Sequence, residues 1–286
     1  MERKRKRKKK NPYMIKSYIE NKWTEPGSLC QAIGIFKEEN IRKTISVVGA
    51  GGKTTVMRKI LKECKEQKIP CAVSTTTHIQ AYDVEYFLGE PSVEMFRKLV
   101  LQYGSVWMGE KTAERKLSAF PDTFIKTISK EPGVLLLEAD GAKHLPVKAP
   151  AAHEPVIVPE TDIVLNVYGM SAVGKKIGEV CFRTEKVTKI LGKKEADILC
   201  PEDIVSLAKS ALAGRKQVAD SMEYHVILNQ ADTKERLEMA EWIAENIMDR
   251  TVERRSTGSI SSVPEFQDKI EGVHITAGFL PSKELW

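Results

Sequence analysis

Ile45-Ser46-Val47-Val48-Gly49-Ala50-Gly51-Gly52-Lys53-Thr54-Thr55 is a β-branched run that stops at a glycine-rich turn carrying a lysine and two threonines. An apolar run of this kind, bounded by glycine, predicts a buried strand over Ile45 to Val48. Beyond the turn, Val56, Ile60, Leu61 and Cys64 recur at helical spacing. Gly49, Gly51 and Gly52 are expected to let backbone N–H groups point inward without Cβ obstruction, and the helix aims its positive end at the same point. Lys53 supplies a point charge for terminal phosphates, and the Thr54 hydroxyl a ligand for Mg²⁺. The stretch Gly49, Ala50, Gly51, Gly52, Lys53, Thr54 and Thr55 therefore predicts a site for ATP or GTP with Mg²⁺. A turn that merely joined strand to helix would not need Lys-Thr-Thr after its last glycine. The spacing departs from the commoner G-x-x-x-x-G-K-[ST], because Val47 stands where that pattern has its first glycine.

Working outward, apolar runs alternate with helical patterns. Strands are expected at Cys71 to Ser74, Ser105 to Met108, Val134 to Leu137, Ile163 to Val167, His225 to Leu228 and Val273 to Ala277. Helices are expected at Glu94 to Gln102, Thr184 to Leu191, Glu202 to Leu212 and Thr233 to Met248, the last with a core stripe of Leu237, Ala240, Ile243, Ala244 and Ile247. That alternation predicts an α/β fold, a mostly parallel sheet with helices on both faces, of the P-loop NTPase-like kind.

Two further strand ends carry chemistry. Val134-Leu-Leu-Leu-Glu-Ala-Asp-Gly141 ends in two acids and a glycine. Ligands in parallel sheets lie beyond the carboxyl ends of strands, so Glu138 and Asp140 are candidates to orient Mg²⁺ and, with Lys53, to act catalytically. Asp-Gly is also ordinary turn chemistry. His225-Val-Ile-Leu-Asn-Gln-Ala-Asp232 ends in Asn-x-x-Asp, similar to the N-K-x-D base-reading element of GTP-binding proteins. Gln230 stands in place of the lysine, and Asp232 equally suits a helix N-cap. Asn229 and Asp232 are thus candidate base contacts.

Lesser candidates cluster near these ends. Gly169-Met-Ser-Ala-Val-Gly-Lys-Lys176 has P-loop spacing, but Lys176 replaces the metal-binding hydroxyl; it reads as a glycine-rich loop near the active end of the sheet. His78 follows a threonine run and is more often structural than a ligand. Lys143, His144 and Lys148 suit an anionic second substrate or, equally, a solvated loop.

Composition bounds the alternatives. The chain has 286 residues and a formal net charge of +6, yet residues 1 to 10 hold eight basic residues and one acidic, leaving 37 basic and 38 acidic in the remainder. Like charges in a block repel, so residues 1–22 are expected to form a basic, disordered extension and residues 23–286 a single domain with a short helical lead-in. Nucleic-acid binding by the basic tail is not favoured, because no aromatic interleaving accompanies it. No apolar run approaches the ~18 residues of a membrane span. Cys30, Cys64, Cys71, Cys181 and Cys200 are scattered and odd in number, which argues against a disulfide framework or zinc ribbon and for a cytoplasmic location.

Taken in order, GAGGKTT (49 to 55), STTTHI (74 to 79), LLLEADGAKHLPVKAPAAHEPVIVP (135 to 159), DIVLNVYGMSAVGK (162 to 175), FRTE (182 to 185) and NQAD (229 to 232) resemble the YqeC family, accessory proteins of selenium-dependent molybdenum hydroxylases. The likeness spans roughly residues 27 to 282. It implies a bacterial cytoplasmic protein serving maturation of such a hydroxylase, with that client as a partner. Cys181 falls where the family pattern leads one to expect a histidine. The short loop also resembles that of Mur-type ligases, and the Glu138 to Gly141 end is distantly similar to metal-insertion GTPases. Two mechanisms follow: an enzyme that activates an anionic acceptor by phosphoryl transfer, or a GTP-dependent switch that times insertion into a client.

Overall fold

The structure is a computed structural model that describes residues 14–37, 40–112, 116–249 and 269–278. The expectation for the basic run at residues 1–10 lies outside the described residues. In chain order the elements are β1 (Met14–Ile19), β2 (Lys22–Thr24), α1 (Leu29–Ala32), β3 (Arg42–Gly49), α2 (Lys53–Glu66), β4 (Cys71–Thr75), β5 (His78–Gln80) and β6 (Phe87–Leu88). There follow α3 (Val93–Tyr103), β7 (Ser105–Met108), β8 (Glu110–Lys111), β9 (Lys116–Ser118), α4 (Asp122–Ile128), β10 (Gly133–Glu138), β11 (Val147–Lys148) and β12 (Ile163–Gly169). The chain continues through α5 (Ile177–Val180), β13 (Cys181–Phe182), α6 (Thr184–Leu191), α7 (Pro201–Lys209), β14 (Glu223–Asn229), α8 (Lys234–Met248) and β15 (Gly272–Ala277).

Ten strands form one sheet in the order β2-β1-β15-β14-β12-β3-β10-β4-β7-β6. From β15 to β6 every pairing is parallel. Strand β3 is central and buried from Thr44 to Gly49, which is why its sequence is mostly apolar and not a strict alternation. On one face α2 lays Val56, Met57, Ile60, Leu61 and Cys64 against Ile45, Val47, Val73 and Leu136. Each such side chain contributes roughly 1.5–3 kcal/mol through the area it removes from water. The other face carries α3 and α4 against Leu135 and Leu137 at one end, and α6, α7 and α8 against Val164, Val226 and Val273 at the other. The fold is therefore the expected α/β sheet with helices on both faces.

Two expectations need correction. The boundary at residue 22 falls inside a hairpin, because β1 pairs antiparallel with β15 from Met14↔Ala277 to Tyr18↔Val273 and with β2 through Ile19↔Lys22. Ile15 and Ser17 are buried while their neighbours are not, an alternation that the adjacent block of charge obscures. The described chain thus enters the fold through this hairpin, and the helical lead-in that follows it is the four residues of α1 and a 3-10 turn at Ile35–Lys37. In addition, α7 stops at Lys209, short of the expected Leu212, where Ser210 turns to an extended conformation.

The parallel strands all end on one rim. Val167 lies opposite Gly49, Glu138 opposite Val47 and Gly169 opposite Asn229, so the glycine turn, the acid-ending strand, the Gly169 loop and the Asn229 segment are delivered to the same edge.

Candidate functional site

The glycine turn is a tight fit. A Cβ on Gly51 would lie 2.1 Å from Gly169 N, and one on Gly49 would lie 2.4 Å from Asn166 Oδ1, with φ of +81° and +90° respectively. Only glycine combines that conformation with that closeness. The turn therefore packs directly onto the loop that opens at Gly169, the second glycine-rich segment of the sequence.

Its amides do not all point where the sequence reading put them. Gly49 N–H donates to Asp140 Oδ2 (3.0 Å), Ala50 N–H to the Val167 carbonyl (2.8 Å) and Gly51 N–H to the Leu145 carbonyl (3.2 Å). These three are used in holding the turn. The donors that remain belong to the start of α2, where Gly52 is the N-cap, no side chain caps the helix and the first turn carries no acid. An α-helix leaves its first N–H groups without intrahelical partners, so this end is an open set of donors with the positive end of the dipole behind it.

Behind the turn runs an alternating chain of charge. Lys53 Nζ donates to the Gly49 carbonyl at 2.8 Å, and lies 3.1 Å from Asp140 Oδ1 and 3.9 Å from Glu138 Oε1. Lys148 Nζ lies 2.9 Å from Asp140 Oδ2 and 2.7 Å from Glu154 Oε2. Arg183 grips both oxygens of Glu154 at 2.7 and 2.9 Å. The sequence Glu138, Lys53, Asp140, Lys148, Glu154, Arg183 thus alternates in sign from the glycine turn to the FRTE segment. Lys53, Asp140 and Lys148 are each no more than 5% exposed, so low dielectric strengthens each pairing and each group depends on its partners.

The titration behaviour follows from this packing. Burial alone lowers the Lys53 ammonium, but Asp140 and then Glu138 outweigh it and the net shift is upward. Burial pushes the Glu138 carboxyl above its usual range, against the pull of Lys53. For Glu154 burial pushes up too, yet the hydrogen bonds from Arg183 and Lys148 prevail and hold it down at about 2.

Glu138 and Asp140 consequently stand in different roles. Thr54 Oγ1 donates to Glu138 Oε2 at 3.2 Å, so a hydroxyl and a carboxylate meet beside the start of α2. That is the donor set a hard, oxygen-seeking cation takes, completed by phosphate oxygens. Asp140 instead has both oxygens on lysines, one of them also on the Gly49 amide. Thr55 follows Thr54, half-buried, in the first turn of α2.

The third motif is pinned to the first. Asn229 Nδ2 donates to the Gly51 carbonyl (2.8 Å), and Asn229 Oδ1 accepts from Thr276 Oγ1 (2.9 Å). Gln230, at φ +65°, accepts from the Ser171 hydroxyl of the Gly169 loop. Asp232 does not cap α8, because Thr233 is the N-cap and accepts from Arg236 N–H. Asp232 is exposed, and its Oδ1 accepts from Gly278 N–H at 2.8 Å.

Other candidates diverge from this centre. His78 is exposed on β5, opposite Ser118 of the small β5-β9-β8 sheet. Lys143 and His144 are exposed, both with positive φ, on the loop after β10; Lys143 Nζ sits 5.3 Å from the centre of the Phe182 ring. Lys148, equally open to a solvated reading in sequence, is buried in the charge chain. Sequence reasoning assigned no role to Glu154, Arg183 or Lys216. Lys216 Nζ donates to the carbonyls of Ala151, Ala152 and Glu154, stapling the Pro-rich loop from a distant turn. Glu154 and Arg183 do fall inside the stretches that carry the family likeness, which was the available signal. The sequence-scattered Cys30, Cys64 and Cys71 lie in one core cluster with the Cys64 thiol between the other two, and all are free thiols.

A glycine turn between the central strand and α2, with a lysine and a hydroxyl facing acids from the adjacent parallel strand, places the chain among P-loop NTPase-like α/β proteins. The profile of the family described as "YqeC protein" matches residues 45–185. The chain is also similar to "Uncharacterized protein YqeC" of Escherichia coli (strain K12), 28% identical over 200 residues that cover 68% of this chain and 77% of that one. Residues 45–185, just under half of the chain, are thus similar to the YqeC family. No helix among the described residues is long and apolar enough to cross a membrane.

Proposed function

We propose that the chain binds a nucleoside triphosphate with Mg²⁺ and couples that binding to maturation of a selenium-dependent molybdenum hydroxylase or its cofactor. The observation that carries the nucleotide reading is the convergence at the start of α2: an uncapped helix N-terminus, the Lys53 ammonium, and the Thr54 to Glu138 pair, all beside a turn into which no side chain fits. In this reading the amides from Gly52 onward and Lys53 hold the β- and γ-phosphates, while Thr54 and Glu138 hold the Mg²⁺. Mg²⁺ would supply charge neutralisation at the bridging oxygens. Asp140 positions Lys53 and clamps the turn through Gly49 N–H. The hydroxylase client is supported by the family resemblance alone.

Between the enzyme and switch mechanisms, the charge chain favours coupling to a second component. Any anion that draws Lys53 toward itself withdraws it from Asp140, and Asp140 is shared with Lys148, Glu154 and Arg183. The test is calorimetric binding of Mg·ATP and Mg·GTP to the full chain and to Lys53→Ala, with circular dichroism to verify folding. Micromolar binding that weakens at least about tenfold in the folded variant is expected, since a charge-assisted contact is worth roughly 1.5–3 kcal/mol. Undiminished binding by Lys53→Ala would sink the reading. Phosphate release measured with and without client hydroxylase then separates enzyme from switch.

A further inference from the structure

We infer that the site reads its nucleotide as guanine, through the carboxylate of Asp232; this rests on the nucleotide reading above and adds the base to it. The loop from Asn229 to Asp232 is fixed at every residue. Asn229 ties to the phosphate turn on one side and to Thr276 on the other. Gln230 ties to Ser171, Ala231 N–H donates to the Thr276 carbonyl at 3.2 Å, and Asp232 Oδ1 takes the Gly278 N–H. A phosphate held at the start of α2 therefore has, on the same rim and joined to the turn by a single hydrogen bond, a carboxylate on a rigid mount.

The strand order adds an independent reason. From the phosphate strand the sheet continues β3, β12, β14, β15, and it is the ends of β14 and β15 that supply Asp232 and Gly278. Their pairing is parallel with Leu228 opposite Ile275, so the two ends are level and face the same crevice. A nucleoside extending from the turn along this rim meets Asp232 at its base.

Asp232 stands outside helix capping, which Thr233 performs. It is exposed, while Asn229 beside it is 2% exposed. Among the described residues no donor meets its Oδ2, and Oδ1 is held by one backbone donor. An ionised carboxylate only accepts hydrogen bonds. Guanine offers two adjacent donors, N1–H and the 2-amino group, which a carboxylate takes together. Adenine places the N1 lone pair at that edge, which a carboxylate repels. Charge-assisted pairs of this kind are the strong ones, so the discrimination is steep. The Gln230 side chain is engaged by the Ser171 hydroxyl, so the discrimination argued here rests on the edge of the ring.

The test is calorimetry of the full chain with Mg·GTP, Mg·ATP and Mg·XTP, repeated with Asp232→Asn. The amide keeps an oxygen for Gly278 N–H, so the mount survives. It can accept from xanthine N1–H and donate to the 2-oxo group, but it cannot accept both guanine donors. GTP is expected to bind on the order of tenfold or more tighter than ATP in the parent, and Asp232→Asn to lose GTP affinity and gain XTP affinity by similar factors. Equal ATP and GTP binding, or a preference unmoved by Asp232→Asn, overturns the base assignment while leaving the nucleotide reading standing. Absence of binding by all three nucleotides to folded protein overturns both.

Discussion

Lys53 Nζ lies 3.1 Å from Asp140 Oδ1, and neither side chain is more than 4% exposed. The lysine that a phosphate site needs is thus stored against an acid from the next strand, held in place before any ligand is considered. Removing one member of a buried pair costs about 3–5 kcal/mol, because the other is left charged without compensation. Lys53→Met is expected to lower stability to urea by about that much, with Asp140 and Glu138 left facing each other. Lys53→Met with Asp140→Asn should recover part of the loss. If the double variant is less stable than the single, Asp140 is held by Lys148 and Gly49 alone and the pair does not act as a unit.

Gly51 offers a second, purely steric test. Gly51→Ala drives a Cβ to 2.1 Å from Gly169 N at a φ of +81°, where neither backbone can yield without moving its strand end. Gly104, which ends α3 at φ +68°, has open space around its Cβ position. Gly104→Ala should therefore cost about 1 kcal/mol, a conformational penalty only. Gly51→Ala should cost several times as much and abolish nucleotide binding. Similar thermal shifts in the two variants would show that the contact between the Gly51 turn and the Gly169 loop is not rigid.

Much of this site was legible because local chemistry fixes it. The run Ile45 to Val48 is buried on both sides, Lys53 and Thr54 follow a turn whose Gly49, Gly51 and Gly52 have no room for a side chain, and Glu138 ends an apolar strand. Those signals reside in neighbouring residues. The glycine amides were misread because a turn of this composition can face a ligand or its own protein, and only the placement of Asp140, Val167 and Leu145 decides which. The pairing of β1 with β15 left no trace in sequence because its partners stand 255 to 263 residues apart, too far for any pattern to register. Lys216 was equally invisible, since its acceptors are three carbonyls 62 to 65 residues away.

His274 sets an acid limit on the fold. Its Nδ1 is 2.8 Å from Ser17 Oγ, its Nε2 is 3.0 Å from His225 Nδ1, and His225 Nε2 faces Glu223 at 3.5 Å. Burial first, and the His225 charge second, hold its ring well below the ordinary 6.5. The unfolded chain therefore takes up this proton before the folded one does. The stability associated with a neutral His274 is complete above pH 6.5 and declines as pH falls below it, by at most about 1.4 kcal/mol per pH unit. The urea midpoint should fall from pH 7.5 to pH 5.5 in the parent and fall less in His274→Asn. An unchanged slope would place the acid sensitivity elsewhere.

Glu154 acts in a separate and lower window. Its carboxyl is held down at about 2, against an ordinary 4.5, by Arg183 and Lys148 acting over the opposing push of burial. A depressed acid contributes stability that is present above its unfolded value and lost as pH falls toward its folded one. Between pH 4.5 and 2 the advantage of the parent over Glu154→Gln should therefore shrink, whereas between pH 7 and 5 it should be constant. The variant leaves Arg183 and Lys148 on a neutral amide, while Asp140 still holds Lys148 at 2.9 Å. The loss at neutral pH is thus expected near the lower end of the ~3–5 kcal/mol typical of a broken buried pair. Unfolding free energies for both proteins at pH 7, 5 and 3 decide the matter, since a difference that stays constant through pH 3 would mean that the contribution of Glu154 is one of shape and not of charge.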